Sequence, residues 1–150
     1  MASQLDSVTP DLLVSREQHV LKLTINRPER RNALTDAVLQ GLRAAIETHG
    51  ADPAVRAIVL SGAGDKAFCA GADLTPGDTP FQPDFGRLTL PMGDLARAVH
   101  SCQLPIIGRI NGTCVAGEWG CWASATLPLQ ARVRASASQK SRSGSFRCKS

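Results

Sequence analysis

Two short apolar runs, each ending in small residues, constrain this chain more than anything else in it. The first is "VRAIVLSGAG", Val55 to Gly64, and the second is "IIGRINGTCVAG", Ile106 to Gly117. The first is an uninterrupted run of branched residues, the pattern of a buried strand. The second reads as a strand running into a glycine turn. Helical patterns stand between such strands. "TDAVLQGLRAAIETHG" puts Val38, Leu42, Ala45 and Ile46 at helical spacing, with Thr35 and Asp36 as cap chemistry and His49–Gly50 closing it. "LARAVHSCQLP" reads as a second helix stopped by Pro105. Upstream, "HVLKLTI" alternates apolar and polar residues from His19 to Ile25, as a strand does, and "NRPERRNAL" follows as a polar connection. "KAFCAGADL" reads as a small-residue turn and "TPGDTPFQPDFG" as a Pro/Gly-rich loop. The alternation of strand and helix predicts an α/β fold with right-handed crossovers.

The net charge of +4 is unevenly spread. All 13 acidic residues lie at or before Glu118. Arg132, Arg134, Lys140, Arg142, Arg147 and Lys149 follow with no acid among them, so the basic excess belongs to the tail alone. That tail, "ARVRASASQKSRSGSFRCKS", has too few apolar residues to offset the entropy of ordering and is expected to be disordered. The five cysteines are odd in number and lack metal-ligand spacing, so no metal site is expected. No charged-then-apolar leader or membrane-length run is present, and a cytoplasmic location is the expectation.

Familiar side-chain chemistries fit poorly. "GAGDKAFCAG" lacks the Gly-x-x-x-x-Gly-Lys-Ser/Thr spacing of a phosphate loop, and no Gly-x-Gly-x-x-Gly opens a helix. A Ser-His-Asp site has no nucleophile elbow, and His19, His49 and His100 sit at a strand start, a helix end and within a helix. Backbone chemistry is left. The small side chains around Phe68-Cys69-Ala70-Gly71-Ala72 let a ligand approach the main chain. Two such turns after neighbouring strands can aim two N–H groups at one oxygen, which is how an oxyanion hole is made. Packing alone would also account for small residues at turns.

Three segments, "INRPERRNAL", "VRAIVLSGAGDKAFCAGADL" and "PIIGRINGTCVAG", resemble in order and separation the crotonase superfamily, the enoyl-CoA hydratase/isomerase family. The resemblance covers about Val14 to Gly117, roughly the first half of a family domain. It implies a crotonase-like spiral of ββα units, truncated here, in a family that assembles as trimers or hexamers. It implies an acyl-CoA thioester as substrate, with coenzyme A part of that substrate and no separate cofactor. An enolate-like intermediate would be held by two backbone N–H groups. One carries over to Ala72, with Ala70, Gly71, Asp73 and Leu74 around it, and the other to the residue after Gly117. The family has glycine at that second position; this chain has Glu118. Asn32 and Ala33 match the segment whose main chain lies along the coenzyme A nucleotide; Arg30 and Arg31 beside it are candidates to approach its phosphates, with a solvated loop as the alternative state of both. No membrane partner is implied.

The chain departs from the family after Gly117. Hydratases place one glutamate just beyond the second turn and another in a Pro-Glu context, whereas position 121 is Cys121 and no acid follows Glu118. A shift of reading frame accounts for this. In the frame built from the third base of each codon and the first two of the next, Trp119/Gly120 forces Gly, Cys121/Trp122 forces Leu and Trp122/Ala123 forces Gly. The recovered string reads Gly-Met-Gly-Leu-Leu-Gly where wobble allows, continuing "VAG" as the family does. The expected organisation is therefore an N-terminal extension over 1–13, a partial crotonase-like domain over 14–117 and an aberrant basic tail over 118–150. The expected function is acyl-CoA chemistry by a chain that is inactive as written. Nucleic-acid or protein interaction through the basic tail is the alternative. It lacks a stacking platform, since the tail's only aromatic is Phe146 in the segment from Ala131 onward, and no nucleic-acid partner is expected.

Limited trypsin digestion should cut first at Arg132, Arg134 or Lys140, before any bond between Val14 and Gly117. Mass spectrometry of the early fragments reads this directly. Protection of those three bonds would show that the tail packs.

Overall fold

The computed structural model describes residues 3–76 and 90–114. The strands are β1 (Ser3–Thr9), β2 (Leu12–Glu17), β3 (Val20–Ile25), β4 (Ala57–Gly62), β5 (Ala67–Cys69), β6 (Ile106–Arg109) and β7 (Thr113–Cys114), with helices α1 (Asp36–His49) and α2 (Pro91–Ser101). A five-stranded sheet has the order β1-β2-β3-β4-β6. Its first three strands are antiparallel neighbours, and β3, β4 and β6 run parallel. The parallel pairing follows from α1, which carries the chain from the end of β3 back to the start of β4, as the helical spacing predicts. β5 and β7 form a separate parallel pair.

The core lies between one face of the sheet and the two helices. Leu21, Leu23 and Ile25 of β3 are buried, while Val20, Lys22 and Thr24 between them are half-buried. β4 alternates in the same way: Ile58 and Leu60 are buried, and Ala57 and Val59 are not fully covered. Its uninterrupted apolar run predicts burial on both faces; the structure covers one face until Ser61–Gly62, because the helices among the described residues pack on one side. α1 turns Val38, Leu39, Leu42, Ala45 and Ile46 inward, and α2 adds Leu95 and Ala98. Thr35 caps α1 by accepting a hydrogen bond from the Val38 N–H at 3.3 Å.

Two sequence expectations change, and the segment expected as an N-terminal extension gains structure: within residues 1–13, β1 and the start of β2 add a hairpin to the sheet, and Leu12 is fully buried. The polar run Ser3–Thr9 lacks the apolar alternation that would have marked it as a strand. Ala67–Cys69 within the expected turn is a strand, buried throughout and paired with β7. α2 begins at Pro91, before the apolar positions that signalled it, because proline is pre-shaped for a first helical turn. Most of the Pro/Gly-rich loop, Gly117, Glu118 and the basic tail lie outside the described residues.

Side-chain amides join the strand ends. Asn32 is fully buried with φ of 57°, a left-handed conformation. Its Oδ1 accepts from the Arg27 N–H at 3.0 Å, and its Nδ2 donates to the carbonyls of Ala63 at 3.0 Å and Ala67 at 2.7 Å. Asn111 works from the other side: its Oδ1 accepts from the Gly62 N–H at 3.1 Å, and its Nδ2 donates to the Gly64 carbonyl at 2.6 Å. Gly62 lies so deep that a Cβ there would sit 2.4 Å from the Phe68 carbonyl oxygen and 2.6 Å from Asn32 Nδ2.

Asn32→Ala should cost about 2–4 kcal/mol, since it orphans buried groups and puts at positive φ a residue that tolerates it less well than asparagine does. Asn32→Gly should lose the hydrogen bonds but recover about 1 kcal/mol of the backbone cost. Urea melts of the three proteins test this; equal midpoints for the Ala and Gly variants would refute the backbone part.

Candidate functional site

The candidate site gathers where the connection after β3 meets the turn after β5. Leu34 and Ala72 form an isolated parallel bridge. The Leu34 N–H donates to the Gly71 carbonyl, and the Asp73 N–H donates to the Leu34 carbonyl, both at 2.8 Å. In a parallel bridge of this kind the flanking residues make the bonds. The N–H and C=O of Ala72 itself therefore point to the opposite side from Leu34. Gly71 has φ of 91°, a region that residues with a Cβ rarely adopt, so the turn that aims Ala72 needs this glycine.

Asp73 is buried, and both of its oxygens are engaged. Oδ1 accepts from the Thr75 hydroxyl at 2.6 Å and the Thr75 N–H at 3.1 Å, which closes a small turn. Oδ2 accepts from Arg27 Nη1 at 2.9 Å. The Thr75 hydrogen bonds, then the Arg27 contact, hold this carboxyl down to about 2. A carboxylate so acidic and so fully engaged has little proton affinity at neutral pH and makes a poor general base. Sequence reasoning gave Asp73 as a turn-forming or substrate-contacting residue rather than a general base; its carboxylate forms the turn with Thr75 and binds Arg27.

Arg27 is the residue that sequence reasoning missed. Its side chain is buried between two carboxylates, with Nε 3.3 Å from Asp11 Oδ2 and Nη1 on Asp73. Nη1 also donates to the Ala33 carbonyl at 2.9 Å. Nothing local marks it, because its partner Asp73 is 46 positions away.

The other candidates sort by position. Asn32 uses its side chain in the buried network described above, and the Ala33 N–H donates to the Arg30 carbonyl. Arg30 ends a short 3-10 turn, Pro28–Arg30; it and Arg31 are exposed, and neither takes part in an ion pair among the described residues. Beside that turn an open cleft of about 250 Å³ is lined by Pro28, Glu29, Ala63, Gly64, Asp65, Lys66 and Ala67. Ala70 is half-buried, and Leu74 is 78% exposed. The structure thus brings Asn32, Ala33, Ala70, Gly71, Ala72, Asp73 and Leu74 into one neighbourhood. Gly117 and Glu118 lie outside the described residues.

Cys69 stands just before the turn. Burial pushes its thiol up to about 11, against the smaller opposing effect of the Gly71 N–H. It stays protonated at neutral pH, so it is no nucleophile. Among the described residues no group of three His, Cys, Asp or Glu side chains could hold a metal ion. No helix among them is long and apolar enough to cross a membrane.

Comparison with known proteins bears on the family. The family model described as enoyl-CoA hydratase/isomerase matches residues 15–125, a span that continues past Gly117. The chain is 45% identical over 128 residues to the probable enoyl-CoA hydratase EchA14 of Mycobacterium tuberculosis, covering 82% of this chain and 45% of that one. Among solved structures, it resembles a carnitinyl-CoA dehydratase from Mycobacterium avium with a TM-score of 0.61 and 40% identity, over 81% of this chain and 44% of that one. An enoyl-CoA hydratase/isomerase from Pseudoalteromonas atlantica gives a TM-score of 0.59 and 36% identity, over 68% and 39%. The chain spans less than half the length of the curated relatives it matches.

The lowered acidity constant of Asp73 makes stability depend on pH. A carboxyl held below its ordinary 3.8 stabilises the fold fully above that value and loses its contribution as pH falls toward about 2. Asp73→Asn should therefore cost about 1.5–3 kcal/mol at pH 7. Its deficit against the unmodified chain should shrink steadily below about pH 4. Urea midpoints across this range check it, and a deficit that stays constant down to pH 2 would contradict it.

Proposed function

The chain belongs to the enoyl-CoA hydratase/isomerase family, and from that premise we propose that its site is built to bind an acyl-CoA thioester through a backbone oxyanion hole of which this chain carries one sound half. The Ala72 N–H is the first donor. The observation that carries this reading is the Leu34–Ala72 bridge, which uses the bonds on either side of Ala72 and leaves its own N–H facing away from Leu34. The parallel pairing of β5 with β7 supports the second donor. Cys69 and Cys114 are paired at the same end of these two strands, the end from which each turn sequence continues.

A thioester carbonyl held by such donors gains negative charge as its α-carbon loses a proton or as a nucleophile adds to the conjugated bond. Preorganised N–H groups stabilise that charge where it develops. The exposed Arg30 and Arg31, with Asn32 and Ala33 next to them, stand at the end of the site assigned to the nucleotide of coenzyme A. Hydratase and isomerase chemistry also need a group that moves a proton. Asp73 is unsuited to it, and no acidic residue follows Glu118. Glu118 adds bulk and negative charge at the position of the second donor. The chain as written is therefore a binder with little or no turnover, consistent with a shift of reading frame after Gly117.

Purified chain assayed with crotonyl-CoA should turn over at least about 10⁴-fold more slowly than EchA14, the combined effect of a compromised donor and a missing acid–base group. Turnover close to that of EchA14 would overturn the proposal. Sequencing of the DNA beyond Gly117 provides the second check. A downstream frame that stays open and encodes Gly at 118 supports the shift; an early stop refutes it.

A further inference from the structure

We infer that Arg27 is the positioning residue for the Ala72 N–H, stapling together the two residues that flank the Leu34–Ala72 bridge; this rests on the reading of Ala72 as an oxyanion donor. One side chain spans the junction. Nη1 carries two hydrogens in a fixed plane, and it donates to the Ala33 carbonyl at 2.9 Å and to Asp73 Oδ2 at 2.9 Å. Ala33 precedes Leu34 and Asp73 follows Ala72, so the guanidinium crosses the bridge at its two neighbouring residues.

The direction of the Ala72 N–H depends on how the strand around residue 72 is rotated about its own axis. Two backbone bonds to Leu34 set that rotation, and an isolated bridge has no further ladder to reinforce it. Arg27 supplies the missing reinforcement. It is itself held on three sides: Asp11 lies 3.3 Å from Nε, its main-chain N–H donates to Asn32 Oδ1, and its carbonyl accepts from the Asn32 N–H at 2.8 Å. Asp73 is fixed in turn by Thr75. The chain of contacts therefore runs from the buried Asn32 through Arg27 and Asp73 to the donor turn, with no exposed link. Lysine would keep the charge but could not span Ala33, Asp73 and Asp11 at once.

Amide hydrogen exchange on the ¹⁵N-labelled chain tests this without requiring turnover. In the unmodified chain the Leu34 and Asp73 amides, both hydrogen-bonded across the bridge, should be protected. In Arg27→Gln they should exchange about tenfold faster or more, while amides of the β3–β4 ladder keep their protection. Because Arg27→Gln leaves Asp73 buried without its cation, Asp73→Asn serves as the milder variant, and the same two amides should respond. Rates at Leu34 and Asp73 unchanged in both variants would overturn the inference. So would an equal loss of protection everywhere, which is what a merely stabilising arginine produces. A separate titration of the unmodified chain with crotonyl-CoA should move the Ala72 amide proton downfield. No movement there, with the exchange effect intact, would overturn the donor reading and with it the purpose of the staple. Movement there without the exchange effect would overturn the role of Arg27 alone.

Discussion

Asn32 buries its side chain completely, and a buried amide must satisfy both of its ends or destabilise the fold. The two ends here reach in different directions. The carbonyl end takes the Arg27 N–H on the connection after β3, and the amino end takes the carbonyl of Ala63, just after β4, and that of Ala67, which opens β5. Few other side chains could do this, because the backbone at position 32 is left-handed and asparagine tolerates that conformation better than most residues. Gly62 completes the constraint by leaving no room for a Cβ beside the asparagine amide. The loop that ends β4 and the strand that leads into the donor turn are therefore located by one residue.

From that anchor the electrostatics follow. Arg27 enters the interior with its backbone already held by Asn32, so its guanidinium arrives with much of its positional freedom removed. A buried cation requires compensation, and Asp11 and Asp73 provide it from opposite sides of the junction. The arrangement places charge close to the candidate site without placing an acid or base in it. Asp73 is too acidic to take a proton and Cys69 too basic to lose one at neutral pH. What the described residues offer near the turn is main chain: small residues, a glycine in a left-handed turn and an Ala72 N–H facing away from Leu34.

The parts that depend on local pattern were legible in the sequence. The alternation in Val20–Ile25, the helical spacing and Thr35 cap of α1, and the apolar run ending at Gly62 correspond to elements of the structure. The three motif segments identified the family, which the comparisons establish independently. Features that depend on distant contacts were not legible. β1 and β2 carry too little apolar periodicity to announce themselves, and their place in the sheet is set by pairing with β3. Arg27 reads as one of several arginines in a polar loop until Asp11 and Asp73 are brought to it. Asn32 shows the same limit from the other side: the motif marked the residue, but its side chain serves the interior, and the segment's exposed face is that of Arg30 and Arg31.

A site made from main chain has an uneven sensitivity to sequence. Side chains at Ala70 and Ala72 matter mainly by being small, so many substitutions there would alter access rather than direction. The direction of the N–H is another matter, since it is a property of the strand's rotation, and that rotation is fixed by residues that do not touch the ligand. Each preorganised donor contributes on the order of 3–4 kcal/mol to holding an oxyanion, and only when its angle is right. On the proposed reading, Asn32, Arg27, Asp73 and the bridge at Leu34 together set the first donor's angle. The position proposed for the second donor, residue 118, lies outside the described residues. On the proposed reading, the direction of the first donor rests on a buried network in the described core, while the two titratable groups beside the donor turn are held in the wrong state to move a proton: Asp73 is kept ionised by Thr75 and Arg27, and Cys69 is kept protonated by burial.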